Sequence, residues 1–190
     1  MHRNTELNTI SCVPVQDIGK WMKKEKFTGL YVPMITPFRA EDESVYEEGI
    51  RRYTDFLIEN GVDGLIPCGS SGEFISMETA EQNIVNEIVC NAAKGRAKVF
   101  CGTAAYSTKK TIELSKHAEA CGADGVMVVT PWYLTPNEDE LYAHYAALRS
   151  AIHIPIMLYH NPYYTNCLMT DEFMAKLYND GLIQAIKERQ

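Results

Sequence analysis

From Gly29 to Glu188 the chain alternates short apolar runs with longer stretches of helical period. The runs are "LYVPMITPF", "GLIPCG", "KVFCGTA", "GVMVVTP", "IPIMLYHNP" and "LIQAIK". Between them lie "SVYEEGIRRYTDFLIEN", "METAEQNIVNEIVCNAAK", "STKKTIELSKHAEAC", "NEDELYAHYAALRSAI" and "TDEFMAKLYND". Tyr46, Ile50, Tyr53 and Leu57 recur at three- and four-residue steps, as do Ile84 with Ile88 and Val85 with Val89 and Ala92, which predicts amphipathic helices. Ser44, Ser107, Asn137 and Thr170 stand where N-caps are wanted. Gly61, Gly95, Gly122 and Gly181 fall just past the predicted helix ends.

The apolar runs show little alternation, the mark of parallel strands covered on both faces. "ENGVDGLI" before the second run is echoed by "ACGADGVM" before the fourth. A βα repeat of about 30 residues favours a closed (β/α) barrel over an open sheet. The predicted fold is therefore α/β, a (β/α)8 TIM barrel with about six of its eight βα units present, occupying residues 27–190. Residues 1–26 read as a polar leader outside the fold.

Composition narrows the class. A hydrophobic content of 46% supports a substantial core, and a net charge of −7 with no basic stripe argues against nucleic acid as a partner. The leader has no continuous apolar segment of the secretory kind, and Glu6, Asp17 and Glu25 count against a transit peptide. No run approaches the ~20 apolar residues of a membrane span. The six cysteines are scattered without a CxxC pair or a metal-like spacing with histidine, which suits a reduced, cytoplasmic protein. His2, His117, His144, His153 and His160 form no evident ligand group, so zinc-dependent aldol chemistry is disfavoured and no metal is expected.

In such barrels chemistry sits at the C-terminal ends of the strands. Those ends carry Thr36, then Gly69-Ser70-Ser71-Gly72, then Thr130-Pro131-Trp132-Tyr133, then Tyr159-His160-Asn161, and finally Lys187. "GSSGEF" reads either as a tight turn with solvent-facing serines or as a small pocket of amides and hydroxyls suited to a carboxylate. Lys187 is either a solvated lysine or an amine made nucleophilic by burial. Tyr159 and Tyr133 are either packing residues or phenols that move protons.

Taken together and in order, "LYVPMITPF", "GSSGEF", "VTPWY", "LYHNP" and "IKE" resemble the dihydrodipicolinate synthase/N-acetylneuraminate lyase family of Schiff-base barrels, from about Gly29 to Glu188. The resemblance implies that Lys187 condenses with pyruvate or another 2-oxo acid, beside the proton-transfer tyrosine Tyr159. Ser70 takes the relay hydroxyl position and Ser71 the one that holds the pyruvyl carboxylate, with Gly69, Gly72 and Thr36 around them. Tyr133 matches a relay tyrosine that reaches a neighbouring subunit's site. The family is commonly a tetramer and uses no cofactor. The partners implied are thus a 2-oxo acid, an aldehyde, and further copies of the chain.

Two departures shape the expectation. Tyr164 stands where the synthase branch has an arginine for the aldehyde's carboxylate, and a phenol cannot make that bidentate pair. The sequence also stops two residues after "IKE", where relatives continue through two more βα units, which reads as a C-terminally truncated chain. The expected function is a lyase of this family. Alternatives are a 2-keto-3-deoxy sugar acid dehydratase in the same fold, a catalytically inactive fragment, and an unrelated phosphate-binding barrel.

Overall fold

The computed structural model describes residues 27–189, so the expected leader lies outside the described residues. Six strands pair in chain order, all parallel: β1 (Tyr31–Pro33), β2 (Gly64–Ile66), β3 (Lys98–Gly102), β4 (Gly125–Val129), β5 (Ile156–His160) and β6 (Ala185–Glu188). Each crossover is helical: α1 (Glu47–Glu59), α2 (Thr79–Ala93), α3 (Thr108–Ala120) and α4 (Glu138–Ala151), then the single turn α5 (Pro162–Thr165) and α6 (Asp171–Asn179) between β5 and β6. This is a partial TIM barrel, as expected. Among the described residues no helix is long and apolar enough to cross a membrane.

Most of the punctuation falls where the sequence put it. Ser107, Asn137 and Thr170 accept the amides of Lys110, Glu140 and Phe173. Gly61, Gly95, Gly122 and Gly181 hold φ between +73° and +86°, which only glycine adopts without strain. Ser44 is a correction. It does not cap α1, because its amide and hydroxyl both bond to the Asp42 carboxylate, and the helix starts after Tyr46 with no side-chain cap. At α2 the cap is Glu78, which exchanges bonds with Glu81 in a capping box.

The Asp-Gly echo has a physical basis. The Asp63 carboxylate accepts the amide of Leu30 (2.7 Å), and that of Asp124 accepts the amide of Val99 (3.0 Å). The glycine that follows each is the direct strand partner of the next residue along: Gly64 faces Tyr31 and Gly125 faces Phe100. A Cβ on Gly64 would lie 2.2 Å from the Tyr31 ring, and one on Gly125 would lie 2.4 Å from the Phe100 ring. A third, softer copy closes the series. Gln184 accepts the amide of Ile156, and Ala185 faces Met157. Even strands thus bind the start of each odd strand and yield space to its large side chain, the alternation by which a barrel interior fills in layers. Tyr31 and Phe100 meet edge to face across the gap that Gly64 leaves, their centroids 5.8 Å apart, and Phe27 packs on Phe100 at 5.0 Å.

The sheet curls enough to bring distant strand ends together. Strands β2 and β5 are three ladder spacings apart, about 14 Å on a flat sheet. Yet Ser70, just beyond β2, comes close enough to Tyr159 in β5 to help draw its phenol pKa down. That curl creates the site.

Candidate active site

The loop after β2 is held from below. Gly69 begins a 3-10 turn over Ser70–Gly72, in which the Gly69 carbonyl accepts the Gly72 amide at 3.0 Å. Glu73 ends the turn in the left-handed region, φ +57°. Thr36, buried at the end of the first apolar run, donates its hydroxyl to the Gly72 carbonyl at 2.7 Å. A Cβ on Gly72 would come within 3.0 Å of the Met34 carbonyl, so the turn sits against β1's extension with no room for a side chain. Thr36 therefore braces the loop with its hydroxyl proton. Ser70 and Ser71 are both exposed.

Tyr159 and Lys187 are direct partners on neighbouring strands. Parallel register places both side chains on the same face of the sheet, and the Lys187 ammonium lies 3.5 Å from the centre of the Tyr159 ring. Tyr159 is buried, and Lys187 is half-buried. The sequence places Lys187 at the end of a buried strand; among the described residues β6 pairs with β5 and alternates half-buried with exposed residues. Burial pushes the Tyr159 phenol up. The Lys187 charge and hydrogen bonds with Lys187, Arg189 and Ser70 outweigh it, leaving the phenol below its ordinary value. A phenol drawn toward ionisation beside an amine and a hydroxyl can pass protons between them.

Two further residues join the cluster: Asn161, which the sequence marks only as a strand-end residue, and Arg189. Asn161 donates its side-chain amide to the Tyr159 hydroxyl at 2.9 Å, fixing that hydroxyl from the far side. Its place two residues after Tyr159 was the available signal, since strand residues share a face at that interval. Arg189 lies beside the Tyr159 and Tyr164 phenols, its guanidinium 5.1 Å from the centre of the Tyr164 ring.

His160 and Glu188 lock the same two strands from the opposite face. The Met169 amide donates to His160 Nε2 at 3.1 Å, which leaves Nδ1–H to donate to the Glu188 carboxylate at 2.8 Å. Tyr133 stands outside the cluster. It is 95% exposed, with φ +78°, a conformation costly for a residue with a side chain. Trp132 beside it packs edge to face on Phe74, so the mouth has an aromatic wall but no contribution from Tyr133 within this chain. The arrangement thus joins Lys187, Tyr159, Ser70, Asn161 and Arg189, with Ser71 on the adjoining turn.

Residues 26–190 match the family model of the dihydrodipicolinate synthetase family. The 4-hydroxy-tetrahydrodipicolinate synthase of Pelobacter propionicus is 43% identical over 162 residues, 85% of this chain and 55% of the relative. That of Chloroherpeton thalassium is 39% identical over 168 residues, 88% and 55% of the respective chains. The chain spans about half the length of these curated relatives. Among solved structures, dihydrodipicolinate synthase from Aquifex aeolicus superposes with a TM-score of 0.83 at 34% identity, covering 86% of this chain and 56% of that one. YagE, a prophage protein of the same family from E. coli K12 in complex with pyruvate, gives 0.82 at 33% identity, covering 85% and 54%.

Proposed function

The chain belongs to the dihydrodipicolinate synthetase family, and from that premise we propose that it carries the 2-oxo-acid half of a lyase site working through an imine on Lys187. The observation that carries this reading is the convergence of Lys187, Tyr159 and Ser70 from strands β6, β5 and the β2 loop.

The unprotonated Lys187 amine attacks the ketone carbon of pyruvate, forming the C–N bond. The carbonyl oxygen gains protons and leaves as water. Tyr159 is placed to relay those protons, with Ser70 and Asn161 holding its hydroxyl. The protonated imine then draws electrons from the neighbouring methyl carbon, which loses a proton and attacks an aldehyde as an enamine. Ser71 and the turn it stands on receive the pyruvyl carboxylate. Tyr133, exposed and strained, serves the site of a second copy, in keeping with a homo-oligomer. Cytoplasmic residence goes with this reading.

The aldehyde side has its own candidate. Tyr164 lacks the charge to hold a second carboxylate, but Arg189 brings a guanidinium over it. Arg189 is the proposed partner for that carboxylate, and Arg189→Ala then raises the KM for the aldehyde while the pyruvate adduct still forms. An unchanged KM removes Arg189 from this role.

The experiment is borohydride reduction of the protein in pyruvate, followed by peptide mass spectrometry. A pyruvate-dependent mass on Lys187, absent in Lys187→Arg, is the expected result. A folded protein that shows no adduct, or an adduct elsewhere, overturns the reading.

A further inference from the structure

On the helices of the barrel, away from the C-terminal strand ends, three side chains of different chemistry come together. His117 and Cys121 lie one turn apart, Cys121 being the residue that ends α3. Glu87 reaches them from α2, and one donor atom of each of the three lies within 4.8 Å of the others. The spacing His-x-x-x-Cys puts both on one helix face. The sequence shows only the His117–Cys121 pair, because the third donor comes from another helix, 30 positions before His117. We propose that Glu87, His117 and Cys121 form a binding site for a divalent cation of the zinc class, clamping α2 to α3.

The donor geometry supports it. Zinc bonds of about 2.0–2.1 Å to nitrogen and about 2.3 Å to sulfur, at a tetrahedral angle, set those two atoms about 3.6 Å apart. Cys121 Sγ lies 3.6 Å from His117 Nδ1. The same separation suits a plain S–H···N hydrogen bond, and the carboxylate is what separates the two readings. A hydrogen-bonded pair has no use for Glu87, whereas a cation needs a third donor. Glu87 is exposed, so its side chain can rotate onto a shared ion without repacking the core.

The set of one thiolate, one imidazole and one carboxylate matches zinc rather than calcium or magnesium, which take oxygen ligands. A cavity of about 290 Å³ opens beside Cys121, lined also by Cys90, Asn91 and Asp124. Its place on the barrel wall makes it a structural site. It is distinct from the Lys187 cluster and does not rest on the proposed reaction.

The test is titration of the full chain with Zn²⁺ against a chromophoric chelator, in a phosphine reductant, with Co²⁺ as a spectroscopic substitute. The expected result is one ion per chain, a thiolate-to-Co²⁺ charge-transfer band, and a rise in Tm that a chelator reverses. Changes in residues that merely support a metal ligand cost 10–100-fold in affinity, so loss of a ligand itself weakens binding by ~100-fold or more. That loss is expected for Cys121→Ser, His117→Ala and Glu87→Ala, with circular dichroism showing each variant folded. Cys90→Ala retains binding. No binding, or binding that all three variants leave unchanged, overturns the assignment. So does loss with the cysteine and histidine variants but not with Glu87→Ala, which would indicate a thiol–imidazole pair without the clamp.

Discussion

Lys187 Nζ sits 3.5 Å from the centre of the Tyr159 ring because the two residues are strand partners at the mouth of the barrel. The contact couples the amine to the phenol, and it has a direct spectroscopic consequence. With Lys187 present, Tyr159 ionises below the usual tyrosine value despite its burial. In Lys187→Met the ammonium and its hydrogen bond are gone and burial remains, so the Tyr159 ionisation moves up. Ultraviolet titration of tyrosinate, compared with Tyr159→Phe to identify the group, reads the shift. The same Tyr159→Phe variant should slow adduct formation by ~10²–10⁴-fold, the usual worth of a positioned acid–base group. An unchanged rate removes Tyr159 from the proton relay.

Asp124 offers two interactions that can be told apart. It pairs with Lys98 at 2.6 Å on a half-exposed surface and accepts the Val99 amide at 3.0 Å. Solvent-exposed ion pairs contribute about 0–1 kcal/mol, whereas stranding a buried amide costs about 1–3 kcal/mol. Lys98→Met should therefore leave denaturant stability nearly unchanged, and Asp124→Ala should lower it clearly. Equal losses would mean that the ion pair, not the strand cap, matters.

The repeat containing Asp124 shows what was legible in the sequence and what was not. "VDGLI" and "ADGVM" were visible as an echo and correctly marked the β2 and β4 starts, because a helix stop, a turn and a buried strand are all local signals. The role of the echo was invisible, since Asp63 serves Leu30 and Asp124 serves Val99, 33 and 25 residues earlier in the chain. The same divide explains the errors. Ser44 has a good N-cap residue type, but Asp42 two positions earlier captures it. Tyr159, Ser70 and Lys187 could be named from strand ends, whereas Arg189 joined them only through the fold.

Gly125 tests the layered interior. Its missing side chain makes room for Phe100, which is fully buried and ringed by Tyr31 and Phe27. Gly125→Ala puts a methyl 2.4 Å from the Phe100 ring, and overpacking of this kind typically costs about 1–3 kcal/mol. Phe100→Leu alone is also destabilising, through lost burial. Combined, the two changes should cost less than their sum, because the smaller side chain admits the new methyl. Chemical denaturation of the four proteins gives the coupling. Strict additivity would mean that the strain is released elsewhere.

His144 sets an acid limit. It is buried on α4, its Nδ1 2.9 Å from the Thr108 hydroxyl, and its Nε2 has no partner among the described residues. Burial disfavours the charged ring and pushes its pKa down to about 4, from an ordinary value of 6.5. Above pH 6.5 the ring is neutral in folded and unfolded chains alike, and its contribution to stability is fully present. As the pH falls, the unfolded state takes up the proton first, so stability is lost progressively between pH 6.5 and about 4. At ~1.4 kcal/mol per pH unit, the loss from this group approaches roughly 3 kcal/mol. His144→Gln removes the titration while leaving an amide to face Thr108. Its Tm should fall less than that of the parent between pH 7 and pH 4.5. Parallel curves for the two proteins would show that other groups govern the acid transition.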